Sequence, residues 1–118
     1  MMAASVAGRR GLRVVLVDHA SRLAEKIRIS GGGRGNFTNI GTSARNFLSG
    51  NPHFAKSALS RYTQHDFVAL VEKHGIAYHE KTLGQLFCDH SAKDIIAMLT
   101  GEMARAGCEL RLGTTLES

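Results

Sequence analysis

"LRVVLVD", Leu12 to Asp18, decides the fold. It is a short, almost wholly apolar and β-branched run. Such a run suits a parallel strand buried on both faces better than a strand with one wet face. Ahead of it, Met1 to Arg10 consists largely of small and apolar residues and reads as a helix, with Gly11 as its stop. Behind it, "SRLAEKIRI" is rich in helix formers, and Ser21 is placed to cap a short helix. A parallel α/β unit normally opens on a strand. Here the buried strand comes second, so the pattern predicts an element ahead of Met1.

Further along, "RISGGGRGNFTN" (Arg28 to Asn39) reads as a glycine-rich loop, followed by polar connecting chain to about Pro52. From His53 to His74 the pattern is helical and predicts two helices, with Phe67, Leu70, Val71 and His74 on one stripe and Gly75 as the end. "IAYHE" and "GQLFCD" predict two short strands. "SAKDIIAMLTGEMARAG" is the clearest helix. Ser91 is its cap, Asp94 completes a capping box, Ile95, Met98, Leu99 and Met103 form its buried face, and Gly107 closes it. "CELRLGTTLE" predicts a last strand, with Leu110 and Leu112 alternating against Glu109 and Arg111. This order of elements is α/β.

The bulk numbers agree with one folded unit or part of a larger one. The chain has 118 residues, 43% hydrophobic and 21% charged, which are globular values. Its net charge of +5 favours anionic partners. Aromatics make up only 6%, with no Trp, whereas a stacking platform for single-stranded nucleic acid uses aromatics within basic grooves. Composition therefore argues against nucleic acid as the partner. Cys88 and Cys108 form no CxxC pair and predict reduced thiols in a cytoplasmic protein. No apolar run is long enough for a membrane helix, and no membrane partner is expected. His79, Cys88, Asp89 and His90 match no metal-ligand spacing and read as a surface hairpin with incidental histidines, so no metal is expected. His65 with Asp66, and Glu72 with Lys73 and His74, read as solvated helix face.

Two features carry chemistry. In a dinucleotide-binding unit an acidic residue ends the second strand about 20 residues after a glycine-rich turn and takes the ribose hydroxyls. Asp18 stands at such a strand end, and counting back places the turn before Met1. The plain alternative is a polar strand end. In the loop, Gly31, Gly32 and Gly33 can present backbone N–H groups to an anion. Arg34 adds a fork of donors suited to phosphate. Ser30, Asn36, Thr38 and Asn39 add neutral hydrogen-bonding groups. No P-loop motif is present.

"KIRISGGGRGNFTN" closely resembles the K-x-x-I-S-G-G-G-R-C-N-x-T-N signature of the HI0933-like family of bacterial flavoproteins, NAD(P)/FAD-dependent oxidoreductases also described as aminoacetone-oxidase-like. "GQLFCDHSAKDIIAMLTGEM" resembles a second segment of that family. The resemblance implies a partial Rossmann-like FAD-binding domain, a parallel sheet with helices, truncated at both ends and filling residues 1–118. It implies non-covalent FAD as cofactor, with NAD(P)H as electron donor, an unspecified small-molecule substrate and a cytoplasmic setting. Asp18 would hold the adenosine ribose. Ser30, Gly31, Gly32, Gly33, Arg34, Gly35 and Asn36 would run along the pyrophosphate and ribityl chain, with Thr38 and Asn39 nearby. Backbone around Thr115 and Leu116 would touch the adenine. No catalytic residue is assigned, since the cofactor carries the redox chemistry.

Two departures stand out. The leading strand with its G-x-G-x-x-G is absent, so the chain alone is expected to bind FAD weakly or not at all. The signature's Cys is Gly35 here. Two competing expectations are a non-enzymatic nucleotide- or nucleic-acid-binding module and an inactive truncated gene product.

Overall fold

A computed structural model describes residues 1–117. Five helices and five strands follow in the order α1 (Met2–Arg9), β1 (Val15–Val17), α2 (Glu25–Ile29), β2 (Asn36–Asn39), α3 (Lys56–Arg61), α4 (Gln64–Lys73), β3 (Tyr78–Glu80), β4 (Gln85–Cys88), α5 (Ala92–Arg105) and β5 (Glu109–Arg111). The fold is α/β, as expected. β1 and β5 pair in parallel, Leu16 opposite Leu110, and β2-β4-β3 form an antiparallel sheet.

α5 is the centre of the molecule. Its apolar residues recur every three to four positions, and the buried set is Ile95, Met98, Leu99 and Met103 together with Ala92 and Ile96. Ile95, Met98 and Leu99 cluster with Val71 of α4 and Cys88 of β4, and Phe37, Phe67, Leu70, Ile76 and Tyr78 pack against this core. Phe37 sits 6.1 Å from the Phe67 ring and 5.6 Å, edge-on, from Tyr78. α1 lies directly on the C-terminal end of α5. Gly8 makes this possible, because a Cβ there would collide with the Ala106 carbonyl oxygen.

Several local expectations are corrected. β1 is shorter than "LRVVLVD" and is not buried on both faces: Val15 is 39% exposed and Leu12 62%. The physical reason is that β5 pairs with one of its edges only among the described residues. Ser21 does not cap α2, which instead begins after Ala24 in a left-handed conformation (φ 59°). Ser91 does cap α5, its hydroxyl accepting from the Lys93 N–H. Asp94 gives no return bond; it lines a groove with His74, His90 and Arg105 instead. The reciprocal box forms at α4, where Thr63 and Asp66 bond each other, and the Thr63 N–H holds the Asp66 carboxyl below its ordinary pKa. "NFTN", read as loop, is β2. Its pairing with β4 is set by the long-range partners Asn36–Phe87 and Asn39–Gln85, which local pattern cannot reveal.

Candidate functional site

The expected site residues fall into two groups. The first is at the C-terminal end of the parallel pair. The Asp18 N–H donates to the Arg111 carbonyl at 3.0 Å, and the Thr114 N–H donates to the Asp18 carbonyl at 3.1 Å. These bonds carry the chain after β5 back over the end of β1. Thr114, Thr115 and Leu116 there line a small cavity of about 280 Å³ with Val17 and His19. Asp18 Oδ1 accepts from the Ala20 N–H at 3.0 Å and has His19 Nδ1 3.7 Å away, while Oδ2 accepts no hydrogen bond among the described residues. It also lines a groove of about 460 Å³ with Met2, Leu16, Leu23, Ile27 and Leu99.

The second group is the turn between α2 and β2. Gly31, Gly32, Gly33 and Gly35 all take positive φ, from 57° to 85°. At Gly31 the requirement is double, since a Cβ would also lie 2.5 Å from Phe87 Cε1 and 2.9 Å from the Asn36 nitrogen. Gly35 is buried, and a Cβ there would stand 3.1 Å from the Ala92 Cβ. Gly32 and Gly33 face open space: a Cβ at either would meet no atom of the described residues within 4 Å beyond its own chain neighbours. One side of the turn is thus locked to β4 and α5, while the other offers bare backbone. The Cys88 N–H donates to the Arg34 carbonyl at 3.0 Å, and the Arg34 side chain is exposed and in no ion pair among the described residues. Ser30 Oγ donates to the Ile27 carbonyl at 2.9 Å and keeps its acceptor capacity. Asn36 is exposed. Thr38 and Asn39 lie further along β2. Both ends of the Asn39 amide are engaged, Nδ2 donating to Leu83 O at 2.7 Å and Oδ1 accepting from Gly41 N at 2.8 Å.

α5 ties the two groups together. Ala92, its first residue, supports Gly35, and Leu99 lines the Asp18 groove. They stand seven positions apart on the helix, about 10 Å along the axis.

The family model described as "HI0933-like protein Rossmann domain" matches residues 1–118, the whole sequence. The chain belongs to the HI0933-like family. Within that family, a curated relative from Escherichia coli (strain K12), named ribosomal RNA dihydrouridine synthase, is 54% identical over 112 residues, 95% of this chain and 28% of the relative. A relative of the same name from Haemophilus influenzae is 46% identical over the same span. The chain therefore covers under a third of the length of these relatives, and the HI0933-like match confirms the Rossmann-like fold expected from the loop signature.

The same relatives overturn the expectation that nucleic acid is not a partner, since their name places them on ribosomal RNA. A low aromatic content over the whole sequence does not exclude a local gathering of rings. Phe47 and Phe54 stand together at the surface, 42% and 53% exposed, with ring centroids 6.3 Å apart.

Two further clusters lie outside the candidate site, and of these the sequence pattern groups only His79 with Asp89. Glu102, on the helix core face, is buried and contacts Arg9, His74 and Arg105. His74, read as solvated, is part of that cluster. His79 Nδ1 lies 2.6 Å from Asp89 Oδ1. A groove of about 520 Å³ is lined by His74, Ile76, His90, Asp94, Met98 and Arg105. No expected site residue borders it, so the candidate site stands on the arrangement of Asp18 and the glycine turn, not on cavity size. No described helix is long and apolar enough to cross a membrane.

Proposed function

We propose that this HI0933-like domain is the FAD-binding part of an oxidoreductase that acts on ribosomal RNA, reducing uridine to dihydrouridine, in the cytoplasm. The observation that carries the reading is the pairing of two half-sites on one helix: an acidic strand end with one carboxylate oxygen that accepts no hydrogen bond among the described residues, and a glycine turn whose outer face is bare backbone. The residues fit a flavin dinucleotide. Gly32 and Gly33 admit close approach of a ligand to the main chain, which a side chain at either position would obstruct.

In this reading Asp18 accepts from the adenosine ribose hydroxyls, and backbone at Thr115 and Leu116 borders the adenine. Ser30 to Asn36 follow the pyrophosphate and ribityl chain. Arg34 neutralises phosphate charge with its free guanidinium. Thr38 lies beyond the turn, and Asn39 holds the β2 end in place through its two amide bonds. A bound flavin, re-reduced by a nicotinamide donor, would supply the hydride that with one proton from solvent saturates the C5–C6 bond of uracil. The residues of this chain bind and orient; residues 1–118 constitute one part of the dinucleotide-binding domain.

The test is a chimera in which this chain replaces the stretch it matches in the Escherichia coli relative. FAD should co-purify with the chimera, and dihydrouridine should return to the ribosomal RNA of cells lacking that relative. Asp18→Ala and Gly32→Val should each reduce the flavin content. A folded chimera without flavin overturns the proposal.

A further inference from the structure

Between Glu25 and Asp66 the sequence contains no acidic residue, while Lys26, Arg28, Arg34, Arg45, Lys56 and Arg61 all fall within that span. The surplus positive charge of the molecule is thus concentrated in one third of the chain. The middle of this span, residues 44–56, carries an unusual group of exposed apolar side chains: Phe47, Leu48 at 95% exposure, and Phe54. Phe47 and Phe54 meet edge to face at 79°, and both residues stay partly open to solvent, 42% and 53% exposed. Beside them runs a groove of about 420 Å³, lined by Arg45, Phe47, Leu48, Ser49, Pro52 and Lys56. Arg45 and Lys56 are exposed and in no ion pair among the described residues.

We infer that this groove is a contact site for single-stranded RNA, with an unpaired base stacked on Phe47, which Phe54 braces edge to face, and flanking phosphates held by Arg45 and Lys56. The inference rests on the RNA-modifying reading above and deepens it by assigning the substrate contact to named residues. Three observations favour RNA over a protein occupant. The patch joins aromatic faces to cations, the combination on which single-stranded nucleic acids stack. The 40-residue span from Lys26 to His65 lacks any acidic residue, which complements a polyanion. The groove, about 420 Å³, has the Phe47 ring and both cations in its lining. Phe47 and Phe54 lie outside the core cluster, so they can be replaced without opening a cavity.

The test is binding of the 118-residue chain to a fluorescein-labelled single-stranded oligouridylate and to a duplex of equal length, by anisotropy over a salt series. The single strand should bind more tightly. Phe47→Ala with Phe54→Ala should weaken single-strand binding at least about fivefold while keeping the salt slope. Arg45→Glu with Lys56→Glu should weaken it and reduce the slope of log K against log salt by about 1.4, two phosphate contacts at about 0.7 each. Arg10→Glu with Lys73→Glu, matched in charge but outside the groove lining, should leave affinity and slope near those of the native chain. Circular dichroism of each variant confirms the fold. Native-like RNA binding by both groove variants, equal losses in that charge-matched control, or no measurable RNA binding by the native chain each overturns the inference. The last result would leave the flavin proposal intact, because the chimera reads flavin content independently.

Discussion

His74 Nε2 lies 2.9 Å from Glu102 Oε1, joining α4 to the otherwise apolar face of α5. Arg105 reaches the same oxygen and Arg9 of α1 the other, so one buried carboxylate braces three helices. The His74 contact first, then the Arg105 contact, lowers the Glu102 pKa from 4.5 to about 2. A carboxyl with a depressed folded value stabilises fully above its unfolded value and loses that contribution as pH falls. Stability should therefore decline between about pH 4.5 and pH 2. Glu102→Gln should cost about 1–3 kcal/mol at neutral pH and flatten this acid limb, as read by urea unfolding at a series of pH values.

Gly31 and Gly32 have nearly the same φ, 57° and 65°, but different surroundings. An alanine at either position takes on left-handed strain of about 1–2 kcal/mol. Only at Gly31 does the new methyl also meet Phe87 and the Asn36 nitrogen. Gly31→Ala should therefore be the more destabilising by a further 1–3 kcal/mol or so, in paired denaturant titrations.

Gly8→Ala sets two effects against each other. Inside a helix, alanine is favoured over glycine by about 1 kcal/mol. Against that, its methyl would strike the Ala106 carbonyl oxygen and press on Cys108 Sγ. Overpacking costs of about 1–3 kcal/mol should win, so the variant melts below the native protein.

The two thiols should differ in reactivity. Burial pushes Cys88 up to about 11, so its thiolate at pH 8 is on the order of one part in a thousand. Cys108 is half-buried, donating to the Ala4 carbonyl at 3.2 Å. Iodoacetamide at pH 8 should label Cys108 first, with Cys88 modified only on unfolding, as mass mapping would show.

Elements with a strong internal period are legible in the sequence alone. α5 can be read from its apolar spacing and its Ser91 cap, and the parallel character of β1 from its β-branched run. What escapes such reading depends on partners distant in sequence. β2 exists because Phe87 and Gln85 lie opposite it, about 50 residues on. Glu102 looks like an ordinary helix glutamate until α1 and α4 bring Arg9 and His74 to it. Asp18 can be proposed from its place at a strand end, while the closeness of Thr114 to it depends on β5 returning alongside β1. The surface pairing of Phe47 with Phe54 stays hidden because composition counts residues without placing them.

The parallel pairing of β1 with β5 also has a consequence in time. Val15 lies opposite Glu109, so the two strands are separated by nearly the whole length of the chain. At a ribosomal rate of about 5–20 residues per second, β1 waits roughly 5–20 seconds before its partner is synthesised. The β3–β4 hairpin, whose strands are close in sequence, can form during that interval. The antiparallel sheet and α5 should be assembled first, with the Asp18 end of the candidate site completed last, when β5 docks.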